Sequence, residues 1–372
     1  MDIVVTGIGL ISCLGNLHQT WEKILQGESG IKLYQPFREL NPYPLGLIKN
    51  QPINLTELTQ SIVADALIDA QLTVPLSHCG VVIGSSRGCQ GIWEKLAQSN
   101  QELELSHWLE TLPHQAAIIA ARQIKTTYMV QSPMAACGTG LWAIFQGVEL
   151  IRQGKCQQVI AGAVESPITP LTLAGFKKMG VLAQTGCYPF DRHREGLVLG
   201  EGGAVLVLES AKVACRRGAF IYGKILDFGF TCDANHISTP AIDNQMASRA
   251  IKKCLERSNL EPTDIDYIQP HGTSTLFNDH REASLIQSLF PSDIPVSSTK
   301  GSTGHTLGAS GAIAVAITLM ALRYQELPPC VGLKNPEFEL NFLIESYKAQ
   351  IKKILCLGFG FGGQNAAITL SF

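Results

Sequence analysis

The chain has 372 residues, of which 45% are hydrophobic and 16% are charged. This composition supports a large buried core, and because a single core rarely grows beyond ~250–300 residues, we expect two core-forming units or two fused halves. The net charge of −2 gives no sign of a nucleic-acid-binding surface.

The first half of the chain alternates short apolar strands with helical patterns, which is typical of α/β layers around buried sheets. Its first residues predict a strand and lack the basic region, apolar stretch and cleavage site of a signal peptide, so we expect a cytoplasmic protein. The predicted elements, in chain order, are strand Ile3–Thr6, helix Leu17–Gln26, helix Ser61–Ala70, strand Cys79–Gly84, helix Pro113–Gln123, helix Gly138–Gln153, strand Gln158–Val164 and strand Gly203–Leu208.

The second half continues the alternation and contains one helix that is apolar nearly all round, Gly308–Tyr324. Such a helix is expected between two sheets, and its most apolar run, Ala312–Leu322, falls short of the ~20 residues that span a bilayer. We therefore predict no membrane insertion. The other elements predicted here are strand Ala219–Phe230, helix Met246–Ser258, strand Tyr267–Gln269, strand Ile354–Leu357 and strand Ala366–Leu370.

The eleven cysteines form no C-x-x-C pair, so zinc and dithiol redox motifs are absent and we expect no metal site. We interpret all of them except Cys137 as buried thiols in a reducing compartment. Cys137 follows small residues and precedes Gly138-Thr139-Gly140, where a strand is predicted to give way to a helix. The free N–H groups of a helix N-terminus favour a thiolate and can hold an oxyanion. This segment alone fits a packing site of small residues equally well.

Two histidines lie in glycine-containing turns further along the chain. His271 follows a predicted strand, at the kind of strand end where open α/β sheets build sites. His305 precedes the apolar helix, whose N-terminus should keep the imidazole neutral and able to donate a hydrogen bond. Lys300 supplies a charge five residues earlier. A cysteine with two such histidines suggests a site that forms carbon–carbon bonds.

Two glycine runs fit G-x-G-x-x-G patterns only in part. Gly358–Gly363 ends too close to the C-terminus for a dinucleotide site, and Gly7–Ser12 has serine in place of the third glycine. We therefore do not expect nicotinamide dinucleotide binding. The C-terminal glycines instead predict a flexible turn that carries Phe359 and Phe361.

Together these residues resemble the β-ketoacyl-[acyl-carrier-protein] synthases, the elongating condensing enzymes of the thiolase superfamily. The similarity extends over nearly the whole chain. The residues that carry it are Val4–Gly9, the Cys137 turn, Pro189–Asp191, Arg194, Glu195, Gly196, Val198–Gly202, Asp233, His236, His271–Thr275, Asp279, Glu282, Lys300, Gly304, His305, Phe359–Gly363 and Asn365.

The resemblance implies a thiolase-like, five-layered αβαβα fold with two pseudo-duplicated halves. Residues 1–217 would carry the nucleophile and residues 218–372 both catalytic histidines. It also implies a homodimer, with a heterodimer of related subunits as the alternative, and an acyl carrier protein as partner. No dissociable cofactor is expected, because the substrates are carried on the phosphopantetheine of the carrier protein.

The resemblance also implies the role of each site residue. Cys137 would take the acyl chain, and the backbone N–H groups of Cys137 and Phe361 would form the oxyanion hole. His271 and His305 would stabilise the enolate formed when malonyl thioester loses carbon dioxide, with Lys300 positioning His271. The pantetheine-binding residues would be Thr273 and Thr275, and Phe361 would also act as the gate.

Some residues depart from the family pattern. The chain is shortened between Pro36 and Ala64 and between Ile92 and Pro113, Glu195 replaces aspartate, and Ala314 stands where many fatty-acid enzymes have glutamate. Two other functions remain open. A non-condensing partner subunit, like a chain-length factor, would lack the nucleophile, and a thiolase-like acyl-CoA enzyme would need a second cysteine between Phe359 and Asn365.

Overall fold

The computed structural model describes residues 1–98, 105–239, 241 and 243–372. The strands in this part of the chain are β1 (Ile3–Ser12), β2 (Gly15–Asn16), β3 (Lys32–Tyr34), β4 (Tyr43–Leu45), β5 (Gly80–Gly84), β6 (Val130–Gln131), β7 (Gln158–Glu165), β8 (Gly202–Ser210), β9 (Gly223–Cys232), β10 (Tyr267–Gln269), β11 (Pro295–Val296), β12 (Glu326–Leu327), β13 (Asn341–Phe342), β14 (Tyr347–Lys348), β15 (Lys353–Gly360) and β16 (Gln364–Ser371).

Helices cover the outer face of the sheet in each half and fill the space between the two sheets. The α-helices are α1 (Leu17–Leu25), α2 (Leu55–Asp69), α3 (Gln90–Gln98), α4 (Gln115–Ile124), α5 (Thr139–Arg152), α6 (Pro170–Lys178), α7 (Ala211–Arg216), α8 (Gln245–Arg257), α9 (Leu276–Leu289), α10 (Lys300–Thr303) and α11 (Ser310–Tyr324). Short 3-10 helices occur at Leu105–Thr111, Pro262–Asp264 and Leu307–Ala309.

The strand order repeats between the two halves. The first half runs β6-β5-β7-β8-β1, and the second runs β11-β10-β15-β16-β9. The short strand β13 extends the second half beyond β11. Without β13, the five strands of each half, numbered along the chain, lie side by side in the order third, second, fourth, fifth, first. The first three strands in that order are parallel, and the last two pair antiparallel. This shared topology confirms the predicted fold of two pseudo-duplicated halves.

The two sheets meet along one short strand pair. Ile3–Val5 of β1 pairs antiparallel with Gly223–Ile225 of β9. The division expected after Arg217 falls between β8 and β9, directly after α7. That exact boundary stays a prediction.

The contacts between helices and sheets define the layers of the fold. Helices α5 and α11 pack against each other and against both sheets, whereas α2 and α4 cover the outer face of the first sheet. Helices α8 and α9 cover the outer face of the second. Every residue of α11 from Ser310 to Leu322 is buried, as expected for a helix between sheets.

The continuous helical segment Leu307–Tyr324 is longer than the apolar run seen in the sequence. By length and composition alone it could cross a membrane, but 89% of it is buried inside the protein. A buried core helix has the same properties, and packing between the sheets identifies this segment as one.

Three local expectations are wrong. The first strand was expected to end at Thr6, but β1 continues through Gly7 and Gly9 to Ser12. A Cβ at Gly9 would lie 1.9 Å from the carbonyl oxygen of Ile62 on α2. These glycines therefore allow close helix–sheet packing. Gly358 and Gly360 belong to strand β15, so the predicted C-terminal turn is confined to Phe361–Gly363.

The third correction concerns cysteines. All eleven thiols are free, but Cys215 and Cys232 are exposed and Cys13 is half-buried, so the expectation of uniform burial does not hold. Of the two shortened regions, the one between Ile92 and Pro113 lies partly outside the described residues.

Candidate active site

Cys137 lies in a tight turn at the N-terminus of the central helix α5. Strand β6 ends at Gln131, and α5 begins at Thr139 with Gly138 as its N-cap. Ala136 adopts a left-handed conformation with φ of 47°. Thr139 Oγ1 accepts a hydrogen bond from Ala135 N at 2.9 Å and donates one to the Ala136 carbonyl at 2.6 Å. These bonds hold the predicted nucleophile in one position.

The fold brings the three predicted catalytic residues together. Cys137 Sγ, one ring nitrogen of His271 and one ring nitrogen of His305 lie within 4.8 Å of one another. The two imidazole rings are nearly perpendicular, at 84°, with centroids 5.2 Å apart. All three side chains are buried. One ligand or reacting group can therefore touch all three.

His271 is held through its backbone by two charged side chains. The carboxylate of Glu282, on α9, accepts hydrogen bonds from His271 N at 2.5 Å and from Gly272 N at 2.7 Å. Lys300 Nζ donates to the His271 carbonyl. Gly272 has φ of 45°, and a Cβ there would come within 2.6 Å of Ser298, so the turn requires glycine.

His305 is held by its backbone and by its ring. His305 N donates to the Val198 carbonyl at 2.7 Å, which joins this turn to the first half of the chain. Its Nδ1 lies 2.7 Å from Ser310 Oγ, on the first residue of α11. Sequence reasoning missed Ser310. The available signal was a serine at the first position of a mostly apolar helix.

Burial sets the protonation of the site. It is the first cause that holds the pKa of His271 and His305 well below 6.5, and the charge of Lys300 is the second. His305 is therefore neutral, as the sequence predicted, and the causes are its burial and the charge of Lys300. Burial also lowers the pKa of Lys300 itself, which Glu282 opposes.

The expected resting thiolate is wrong. Burial raises the pKa of Cys137 to about 11, although Lys300 and Arg87 act in the opposite direction. Cys137 is therefore a thiol at neutral pH. The same three ligand atoms also have a spacing that could hold a metal ion, and the absence of a metal stays a prediction.

A cavity of about 440 Å³ connects these residues with the surface. Thr273 and Thr275 line it, with their hydroxyls 2.9 Å apart, so the predicted pantetheine-binding residues face the same space as the triad. The Phe361 ring stacks on Phe176 at 6.1 Å between centroids. The interaction of the Cys137 sulfur with the Phe361 backbone is the weakest of the causes that act on the pKa of Cys137, and it lowers that pKa. Both predicted oxyanion-hole groups thus belong to this end of the cavity.

Two family models match most of the chain. Residues 48–214 match the N-terminal domain of β-ketoacyl synthase, and residues 222–334 match its C-terminal domain. Among curated proteins, 3-oxoacyl-[acyl-carrier-protein] synthase 2 of Staphylococcus aureus (strain COL) is 32% identical, over 98% of this chain and 97% of that protein. The protein of the same name from Synechocystis sp. is 33% identical, over 100% and 97%.

Solved ketosynthase structures match the fold over the whole chain. One chain comes from a type II PKS acyl-carrier protein in complex with its ketosynthase bound to the hexaketide. It has a TM-score of 0.93 and 26% identity, and the match covers 100% of this chain and 99% of that one. A β-ketoacyl synthase from Burkholderia phymatum has a TM-score of 0.89 at 24% identity, over 100% and 99%, which supports the fold alone.

Proposed function

The chain belongs to the β-ketoacyl synthase family, and on that basis we propose that it is a 3-oxoacyl-[acyl-carrier-protein] synthase. The proposed reaction is the decarboxylative Claisen condensation of malonyl-carrier protein with an acyl chain bound to Cys137. The enzyme is then an acyltransferase, and its partner is an acyl carrier protein. The observation that carries the proposal is the meeting of Cys137, His271 and His305 at the end of one cavity.

The first half-reaction transfers the acyl chain to Cys137. Because the thiol is protonated at rest, its attack on the thioester needs a proton acceptor, and a neutral imidazole within 4.8 Å can serve. The N–H groups of Cys137 and Phe361 stabilise the oxyanion of the tetrahedral intermediate. The phosphopantetheine thiol leaves with the proton, and covalent catalysis has divided one difficult step into two.

The second half-reaction uses the same neutral histidines as hydrogen-bond donors. Thr273 and Thr275 hold the pantetheine arm of the malonyl donor in the cavity. As carbon dioxide leaves, negative charge develops on the thioester oxygen, and N–H groups of His271 and His305 stabilise it. The enolate carbon then attacks the acyl-Cys137 carbonyl, and the cysteine leaves as the β-ketoacyl chain forms. No step requires a dissociable cofactor.

The other two functions fit the site less well. A non-condensing partner would lack the nucleophile, whereas Cys137 is present and in reach of both histidines. A thiolase would need a second cysteine near Phe361, and residues 359–365 contain none. A homodimer, a heterodimer with a related subunit and the cytoplasmic location remain predictions.

Intact-mass spectrometry tests the proposal directly. Wild type and Cys137→Ala would be incubated with acyl-carrier proteins of varied chain length, followed by malonyl-carrier protein. We expect an acyl adduct on wild type only, discharged to a β-ketoacyl product by the malonyl donor. Cys215→Ala, which removes an exposed thiol, is the matched control and should behave as wild type. No adduct on wild type with any donor would refute the proposal.

A further inference from the structure

Arg87 lies beside the nucleophile turn, although it is far from Cys137 in sequence. It follows β5, whose last residue Gly84 packs so closely that a Cβ there would lie 2.6 Å from the Pro133 carbonyl oxygen. The backbone N of Arg87 donates to Glu165 Oε1 at 2.9 Å. The other carboxylate oxygen of Glu165 accepts from Gly308 N at 3.1 Å. Glu165 thus fixes the Arg87 backbone to the segment that carries His305.

The Arg87 side chain is half-buried, and its guanidinium lies over the Phe176 ring without a polar partner among the described residues. Its central carbon lies 5.6 Å from the Phe176 ring centroid, and Phe176 stacks on Phe361. Its Nε is buried and has no hydrogen-bond partner among the described residues. Its positive charge is one of those that lower the pKa of Cys137. An unpaired buried donor is costly, and a ligand oxygen that accepts a hydrogen bond from Nε would offset this cost.

The comparison with other arginines makes this unusual. Arg194 and Arg217 also have one buried nitrogen without a hydrogen bond. Arg194, however, forms ion pairs with Asp279 and Glu337, and Arg217 forms one with Glu209. No ion pair or side-chain hydrogen bond of Arg87 occurs in the part of the chain that the structure describes. Among these three, only Arg87 has no carboxylate partner.

Two cavities lie close to Arg87, each lined by a residue next to it in space or in sequence. Phe176, beneath its guanidinium, lines the cavity that contains Cys137. The next residue along the chain, Gly88, lines a second cavity of about 450 Å³ together with Ile168. Ile168, Phe176 and Cys137 belong to one apolar cluster. An acyl chain that extends from Cys137 along Phe176 therefore comes close to the ring on which the guanidinium lies.

We propose that Arg87 determines acyl specificity: its guanidinium binds a carboxylate or carbonyl oxygen on the acyl chain held by Cys137. The inference rests on the proposed synthase function and names its substrate class, oxygenated acyl chains. The malonyl carboxylate is a poorer candidate. A guanidinium bound to it would stabilise the charged ground state, whereas decarboxylation removes that charge, so the interaction would slow the reaction.

Matched acyl donors test the proposal. Carrier proteins would be loaded with butyryl, 3-oxobutyryl or succinyl groups, and separately with hexanoyl or adipoyl groups. The rate of Cys137 acylation would be followed by intact mass. Because a charge-assisted hydrogen bond is involved, wild type should accept the oxygenated chain about ten- to a hundredfold faster than the alkyl chain of equal length. The 3-oxo and carboxyl arms show which acceptor is preferred.

Variants assign the preference to the guanidinium. Arg87→Leu should abolish it, Arg87→Lys should retain part of it, and Arg122→Leu, which changes an exposed arginine on α4, should leave it as in wild type. Thermal unfolding of each variant reports folding, and the wild-type ratio is decisive by itself if a variant does not fold.

Three results would overturn the role of Arg87. They are equal acylation of wild type by both donor classes, an unchanged preference in folded Arg87→Leu, and slower malonyl decarboxylation in that variant with the acyl preference intact. No acylation by any donor would instead overturn the proposed synthase function, and this inference with it.

Discussion

The hydrogen bond between Ser310 and His305 gives a sharp test of how the site is arranged. Ser310 Oγ lies 2.7 Å from Nδ1 of His305, and both side chains are buried. Thr306 Oγ1, at 3.3 Å, can donate to the same hydroxyl, so Ser310 can donate to the ring. The imidazole then carries its proton on Nε2, the nitrogen left to stabilise the enolate. Ser310→Ala removes this control of the tautomer.

The size of the effect on the rate depends on whether the lost hydrogen bond destabilises the resting enzyme, the transition state or both. A buried acceptor without a partner costs about 1–3 kcal/mol, and this cost is present before and during the reaction. It should therefore lower the free energy of unfolding rather than the rate. The rate should fall only through the lost preference for the Nε2–H tautomer. If the hydrogen bond supplied about 1 kcal/mol of that preference, the equilibrium between the two tautomers would change about fivefold. Malonyl decarboxylation should then slow by up to about fivefold, and by less than about twofold if the two tautomers become equally populated.

The assay is carbon dioxide release from malonyl-carrier protein, with urea unfolding and the 15N spectrum of His305 measured on the same samples. Ser302→Ala is the matched control, because the buried Ser302 hydroxyl has no hydrogen-bond partner among the described residues. It should change neither rate nor tautomer. A Ser310→Ala enzyme with the wild-type tautomer and rate would refute the reasoning.

Four further predictions test the electrostatics and packing. Alkylation of Cys137 by iodoacetamide, followed by peptide mass, should speed up about tenfold per pH unit from neutral pH, since its thiol has a pKa of about 11; a rate independent of pH would contradict this. Lys300→Met removes a charge that lowers the pKa of both histidines, so the acid limb of the pH–rate profile should move to higher pH. Gly9→Ala should destabilise by about 1–3 kcal/mol in urea unfolding, because its Cβ would meet Ile62 O at 1.9 Å. Gly175→Ala, in open space on α6, should stabilise by up to about 1 kcal/mol.

Local apolar patterns were enough to predict many elements but not their limits. The strand Tyr267–Gln269 was predicted residue for residue, because a short buried run between polar segments is a local signal. Helix α9 was missed because it buries Asp279, Arg281 and Glu282, so it presents no clear apolar stripe. The extension of β1 through Gly9 was missed because it depends on contact with α2.

The site residues also divide into those that local sequence patterns indicated and those that they did not. Cys137, His271 and His305 were singled out because each occupies a turn with small residues beside an element end. Their meeting at one point was implied by family resemblance, since spacing along the chain cannot give it. Arg87 and Ser310 were missed because a buried polar residue has the same appearance in sequence as an exposed one. Their significance depends on burial and on partners from other elements.

Backbone strain connects the fold with the chemistry. Ala136, Ser274 and Leu307 all have positive φ, and each lies within three residues of a catalytic side chain. A left-handed conformation costs a non-glycine residue about 1–2 kcal/mol, so these turns persist only because the structure around them is rigid. Thr139 Oγ1 donates a hydrogen bond to the Ala136 carbonyl, and Asp279 Oδ1 accepts one from Ser274 N at 3.1 Å. Glycine at these positions would relieve strain but widen the range of positions open to the triad. Since reaction rates depend steeply on such placement, the rigid sheet ends and the two central helices serve catalysis by sustaining strained turns.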